Sequence, residues 1–173
     1  MLIIAVAFAV LVAGVLVFLF LKQRRELKLA QQQAAGGAGG GKEDVASRQL
    51  QLQAYERLIL LVDRIALPNL IQRVAQPELN AREMQSLLIH SIRQEFEHNI
   101  TQQIYVSAEA WDAVRNYKEQ NLLIINQIAS FLPPEATGFD LNKHLLDLLV
   151  QNPKASLQNI VSDALSYEAK KVM

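Results

Sequence analysis

NAREMQSLLIHSIRQEFEHNITQQI, residues 80–104, decides the fold. Met84, Leu88, Ile92, Phe96, Ile100 and Ile104 recur at every fourth position, and Leu87 and Ile89 broaden the early face. That is the one-sided apolar stripe of a helix, not the alternation of a half-buried strand. Asn80 followed by Glu83 fits a reciprocal N-terminal cap, and Pro77 offers an alternative start at Glu78. A strict four-residue row drifts around a 3.6-residue helix, yet the spacing predicts one helix carrying the row to Ile104.

Upstream, the same period runs from Val45 to Ala66. Leu50, Leu58, Leu61, Val62 and Ile65 lie on one side, Tyr55 and Ile59 widen the stripe, and Arg57, Asp63 and Arg64 fall outside it. Pro68 disfavours the α conformation at Leu67 and sets the predicted end there. Leu70, Ile71 and Val74 allow a short helical turn before Pro77. Downstream, Ser107 caps a predicted helix with Trp111, Val114, Leu122, Ile125 and Ile128 on its stripe. Leu122–Ile125 alone could be a buried strand, but the polar spacing around it favours helix, which Pro133-Pro134 stops. Asp140 is the expected N-cap of a helix over 141–150 that buries Leu145, Leu148 and Leu149. Asn152-Pro153 opens a last one with Leu157, Ile160, Val161, Ala164 and Leu165. The expectation is an all-α bundle of about five helices over residues 42–173.

The chain begins MLIIAVAFAVLVAGVLVFLFL and continues KQRRELK. Leu2 to Leu21 lacks an ionisable group, which is roughly 30 Å of helix and the thickness of a bilayer core. No Lys or Arg precedes the run and no small-residue cleavage site closes it, so residues 1–21 read as a retained anchor and not as a signal peptide. Lys22, Arg24, Arg25 and Lys28 place the following residues on the cytoplasmic side. The expected topology is a single pass, with the N-terminus outside, the following residues cytoplasmic and the lipid bilayer as partner. Ala5, Ala9 and Ala13 recur on one face and would permit transmembrane helix packing. Residues 22–35 read as a juxtamembrane helical extension, and GGAGGG, 36–41, as a flexible joint with a root-mean-square reach of about 13 Å.

The sequence carries no net charge, but residues 1–41 hold +3 and residues 42–173 hold −3. A mildly acidic helical region without a clustered basic surface argues against nucleic acid as partner. Chemistry-bearing motifs are sparse. The glycines at 36–41 lack the Lys-Ser/Thr and the preceding strand of a phosphate loop. His90, His98 and His144 are scattered, and EFEH at 95–98 is not the H-E-x-x-H of a metalloprotease. No catalytic, cofactor-binding or metal residue is assigned and no cofactor is expected. Asn99, Thr101, Gln102, Gln103 and Tyr105 form a polar run placed opposite the Ile100/Ile104 stripe. Trp111 is expected in the core or as an interface anchor.

Three features, AYERLILLVDRIALPNLIQRV at 54–74, EFEHNITQQIYVS at 95–107 and Trp111 shortly after, resemble an uncharacterised Bacteroidota family of small single-pass membrane-anchored helical proteins. The resemblance implies a bacterial envelope location, which puts the expected anchor in a bacterial inner membrane, and it supplies no catalytic residues. It directs attention to Tyr55, Glu56, Arg57, Glu95, His98, Gln103 and Tyr105. Tyr55, Arg57, Glu95, His98, Gln103, Tyr105 and Trp111 are therefore the candidate interaction residues. The leading expectation is a membrane-tethered structural or protein-interaction module, with a protein partner or a second copy of the chain. The alternative is an enzyme or small-ligand sensor in which Glu95, His98 and Tyr105 converge.

Overall fold

The computed structural model describes residues 41–151 and 157–173. The chain divides into two units, Met1–Glu43 and Asp44–Met173. Six α-helices are described: α1 (Gly41–Arg64), α2 (Leu67–Val74), α3 (Ala81–His98), α4 (Ala108–Phe131), α5 (Gly138–Gln151) and α6 (Gln158–Val172), with a 3₁₀ turn at Ile100–Ile104. Among the described residues no helix is long and apolar enough to cross a membrane.

The expected architecture is corrected on two counts. The described fold is an all-α bundle of six helices, not a single-pass anchor followed by about five. The membrane tether, the bilayer as partner and the single-pass inner-membrane location are not supported by it, since no described helix is long and apolar enough to span a bilayer. Residues 1–21, with Ala5, Ala9 and Ala13, lie outside the described residues, as do 22–35, 36–40 and the expected Asn152-Pro153 start.

The sixth helix is α2, read from sequence as a passing turn. Pro68 falls in its first turn, where a backbone N–H would have no intrahelical partner, so the proline starts this helix as well as ending its predecessor. The bend is taken at Ala66, with φ −60° and ψ 127°. Asn69 clamps it, its Nδ2 donating to the Asp63 carbonyl at 3.0 Å and to Asp63 Oδ1 at 2.9 Å.

α3 is central and packs against α2, α4 and α5, while α4 also meets α5 and α6. Its buried face is Ala81, Met84, Leu88, Ile92 and Phe96. Asn80 accepts from the N–H groups of Arg82 and Glu83 while Glu83 accepts from the Asn80 N–H, which is the reciprocal cap expected from sequence. Along α1, Tyr55, Leu58, Leu61 and Val62 are buried. Leu50 is exposed, because residues 44–50 all lie outside the core and burial first becomes complete at Ala54. On α4, Trp111, Val114, Tyr117, Leu122 and Ile125 are buried, and Trp111 tilts against Phe96 of α3 with ring centroids 5.0 Å apart.

The start of α5 differs from expectation by one turn. Thr137, not Asp140, is the cap: Asp140 Oδ2 accepts from the Thr137 N–H and hydroxyl at 2.9 and 2.7 Å, and Thr137 Oγ1 accepts from the Asp140 N–H at 3.2 Å. Asp140 is thus the reaching-back member of a second reciprocal cap. The connections before α3 and α5 meet through Ala81 N–H to Ala136 O (2.9 Å) and Gly138 N–H to Leu79 O (2.8 Å).

Candidate functional site

Among the described residues, one concavity joins a face of α1 to the end of α3. Arg57, Leu60, Leu61 and Arg64 are spaced i, i+3, i+4 and i+7, so a helix presents them together, and Glu95, His98 and Asn99 are spaced i, i+3 and i+4 on the opposing wall. These residues line a cleft of about 440 Å³.

The α3 wall carries an ion-paired carboxylate, that of Glu95. Arg64 donates to both Glu95 oxygens, Nε to Oε2 at 2.9 Å and Nη2 to Oε1 at 2.6 Å, a two-pronged arrangement that fixes direction as well as charge. Arg73, from α2, adds an Nη2 contact to Oε1 at 3.4 Å. The Arg64 hydrogen bonds hold the Glu95 carboxyl below the usual carboxylate range against the opposing effect of burial, with the charges of Arg64, Arg73 and His98 assisting.

The upper wall is set by how α3 stops. Asn99 has φ −107° and ψ 5°, its Nδ2 donates to the Glu95 carbonyl at 2.8 Å, and its Oδ1 accepts from Arg57 Nε at 3.4 Å. The chain then tightens into the 3₁₀ turn, whose three residues per turn break the phase of the preceding row. The result reverses the expected sidedness. Asn99 and Gln102 are 7% and 8% exposed, whereas Ile100 and Ile104 are 44% and 71% exposed. Leu60, on the α1 wall, is 57% exposed.

Of the sequence-derived candidates, Arg57, Glu95 and His98 come together here. Gln103 and Tyr105 lie exposed on and just after the 3₁₀ turn and do not line the cleft. Trp111 is a core residue. Tyr55 belongs to another cluster: its hydroxyl donates to Glu168 Oε2 at 2.8 Å and accepts from the Ser107 N–H at 3.3 Å, while the Ser107 hydroxyl donates to the same Glu168 oxygen and caps α4 at the Ala110 N–H. Burial, its largest cause, raises the Tyr55 pKa.

The enzyme or small-ligand reading on Glu95, His98 and Tyr105 is corrected by this geometry. Tyr105 is not with the other two, and the Glu95 carboxylate is engaged by two guanidinium groups and held ionised, the opposite of a proton carrier poised near neutrality. Among the described residues no group of three or more His, Asp or Glu side chains is placed to hold a metal ion. Sequence reasoning missed Leu60, Arg64, Arg73 and Glu168. The seven-residue interval from Arg57 to Arg64 was a usable signal for a shared face, whereas nothing local tied Arg73 or Glu168 to their partners.

A family model described as "Family of unknown function (DUF7935)" matches residues 1–172, and the chain belongs to that family. The resemblance to a family of single-pass membrane-anchored proteins is corrected accordingly, to a family of unknown function whose described residues here form a helical bundle without a membrane-spanning helix. No curated protein and no solved structure matches the chain.

Proposed function

We propose that this member of a family of unknown function is a protein-binding domain that receives a segment of a partner between α1 and the end of α3, against the 3₁₀ turn. The observation that carries the reading is the sidedness of that turn. Two amides, Asn99 and Gln102, take buried positions while Ile100 and Ile104 face outward, although the six helices already share a filled core. Singly exposed apolar residues are ordinary on any surface. Here, however, Leu60 lines a concave site whose wall ends at Asn99, directly before Ile100, and Arg57 and His98 line the same cleft. Apolar surface beside a few fixed polar groups is the composition of a recognition site. Covering Leu60 or Ile100 with a partner side chain removes apolar area worth about 1.5 kcal/mol or more each when burial is complete.

The test uses the full chain and a displayed library of random twelve-residue peptides, selected in parallel on the wild type and on the Leu60→Asp/Ile100→Asp double variant. Both positions are at the surface, so the variant keeps its circular dichroism and Trp111 fluorescence. Peptides that bind the wild type and lose at least ten-fold in affinity on the variant are expected. Selection of the same peptides by both proteins, or of none by the wild type, overturns the reading.

A further inference from the structure

We infer that the segment received in this cleft carries a carboxylate side chain and that Arg57 reads it; this rests on the docking reading above. Two guanidinium groups, those of Arg57 and Arg64, line the cleft against the single lining carboxylate of Glu95, which Arg73 also reaches from α2. Glu95 uses one oxygen on Arg64 Nε and the other on Nη2 of both Arg64 and Arg73, so its charge is committed to those two residues. Arg57 is differently placed. Its Nε is steered by a neutral acceptor, the Asn99 side-chain oxygen, at the long distance of 3.4 Å, and among the described residues it forms no ion pair.

A guanidinium offers five donors, and this contact uses the one on Nε. The terminal nitrogens retain the fork that matches a carboxylate in two parallel hydrogen bonds. Asn99 is itself fixed, being buried and tied back to the Glu95 carbonyl, so it holds the Arg57 stem without neutralising it. The charge left over on the cleft is positive, while Leu60 lines the same cleft and Ile100 follows directly on Asn99. The complementary occupant is therefore a protein segment with an Asp or Glu beside Leu, Ile or another apolar residue.

The random-peptide selection on the full chain distinguishes this inference from the docking reading beneath it. Wild-type protein is expected to select peptides with an Asp or Glu adjoining an apolar residue. Replacing that acid by its amide should weaken wild-type binding about ten-fold or more, and should have no further effect on Arg57→Gln, with Arg57→Lys retaining part of the discrimination. Circular dichroism and Trp111 fluorescence check that both variants stay folded. Neutral or basic peptides that still depend on Leu60 and Ile100 would overturn the carboxylate inference and leave docking standing. Acidic peptides whose acid shows no coupling to Arg57 also overturn it. If no selected peptide depends on Leu60 and Ile100, the docking reading itself fails and the inference falls with it.

Discussion

Glu95 shows how a single side chain sets the character of the cleft. Its folded-state pKa is lowered first by the Arg64 hydrogen bonds, so the stabilisation it supplies is fully present above the unfolded value, about 4.3, and is lost as pH falls through the lower folded value. Because Arg64 is partly solvated, the pair is worth only about 1 kcal/mol. Glu95→Gln should therefore lower unfolding stability in urea by about that amount at neutral pH, and the two proteins should converge once pH is below the folded pKa of Glu95. A difference that persisted unchanged at that acidity would assign the loss to packing. Asn121 is the buried counterpart. Its Nδ2 donates to the Ile65 carbonyl at 2.9 Å, joining α4 to the chain just beyond α1. Asn121→Ala should cost about 1–3 kcal/mol by leaving that carbonyl without its partner, readable as a drop in the urea midpoint at unchanged slope. Neither role was legible in the sequence. Arg57 and Glu95 stood out as charged residues in suggestive surroundings, but pairing Arg64 with Glu95 needs the crossing of two helices, and a helical period says which residues share a face without saying which faces meet.

At the scale of elements, local chemistry carried the reading furthest where the signal was a cap, and failed where one residue served two purposes. Asn80 and Glu83 close α3 as expected. Asp140 is a capping residue at the reaching-back position instead of the N-cap, since Thr137 three residues earlier completes the reciprocal pair. Pro68 both stops α1 and starts α2, because a helix tolerates proline in its first turn. The four-residue row failed at Ile100 because no apolar count reveals a change from 3.6 to three residues per turn. A Cβ on Gly138 would lie 2.9 Å from the Leu79 carbonyl oxygen and 3.1 Å from Met84 Cβ, atoms that belong to backbone and core. Gly138→Ala should thus force apart the connections before α3 and α5 and lower stability by about 1–3 kcal/mol, measured by thermal or urea unfolding. The C-terminal helix α6 buries Val161 and Leu165, packs Ala169 and Val172 partly against the core and has no side-chain N-cap, so the Tyr55–Glu168–Ser107 hydrogen bonds, with the Gln158 contact to Asp63, add materially to what holds it. Hydrogen bonds to a charged acceptor contribute about 1.5–3 kcal/mol. Glu168→Ala should accelerate amide exchange across residues 158–172 by about ten-fold or more while leaving α3 protected. Uniform acceleration throughout the bundle would show that α6 does not open independently.

For the bundle as a whole, the buried apolar residues of all six helices form one cluster, from Tyr55 and Leu58 on α1 to Val161 and Leu165 on α6. The all-α class was legible because long one-sided apolar rows on α1, α3 and α4 survive any ambiguity at their ends. The order of packing was not, because an apolar stripe has the same period whether it meets a neighbour in the chain or a distant helix. Leu88 tests the continuity of that cluster. It is fully buried near the middle of α3, the helix that packs against α2, α4 and α5. Truncation to Ala removes most of its side-chain volume from a position where three helices must move together to refill the space, so Leu88→Ala should cost about 2–5 kcal/mol. If the cluster is one cooperative core, the loss will appear equally in the urea midpoint reported by Trp111 on α4 and in the exchange rates of the slowest amides of α1, α3 and α5. If α3 amides alone accelerate while Trp111 keeps its midpoint, the helices unfold as separate parts and the core is divided. Leu60→Asp supplies the contrast: it lies on the cleft and not in the core, so it should leave every one of those measurements within about 0.5 kcal/mol of the wild type.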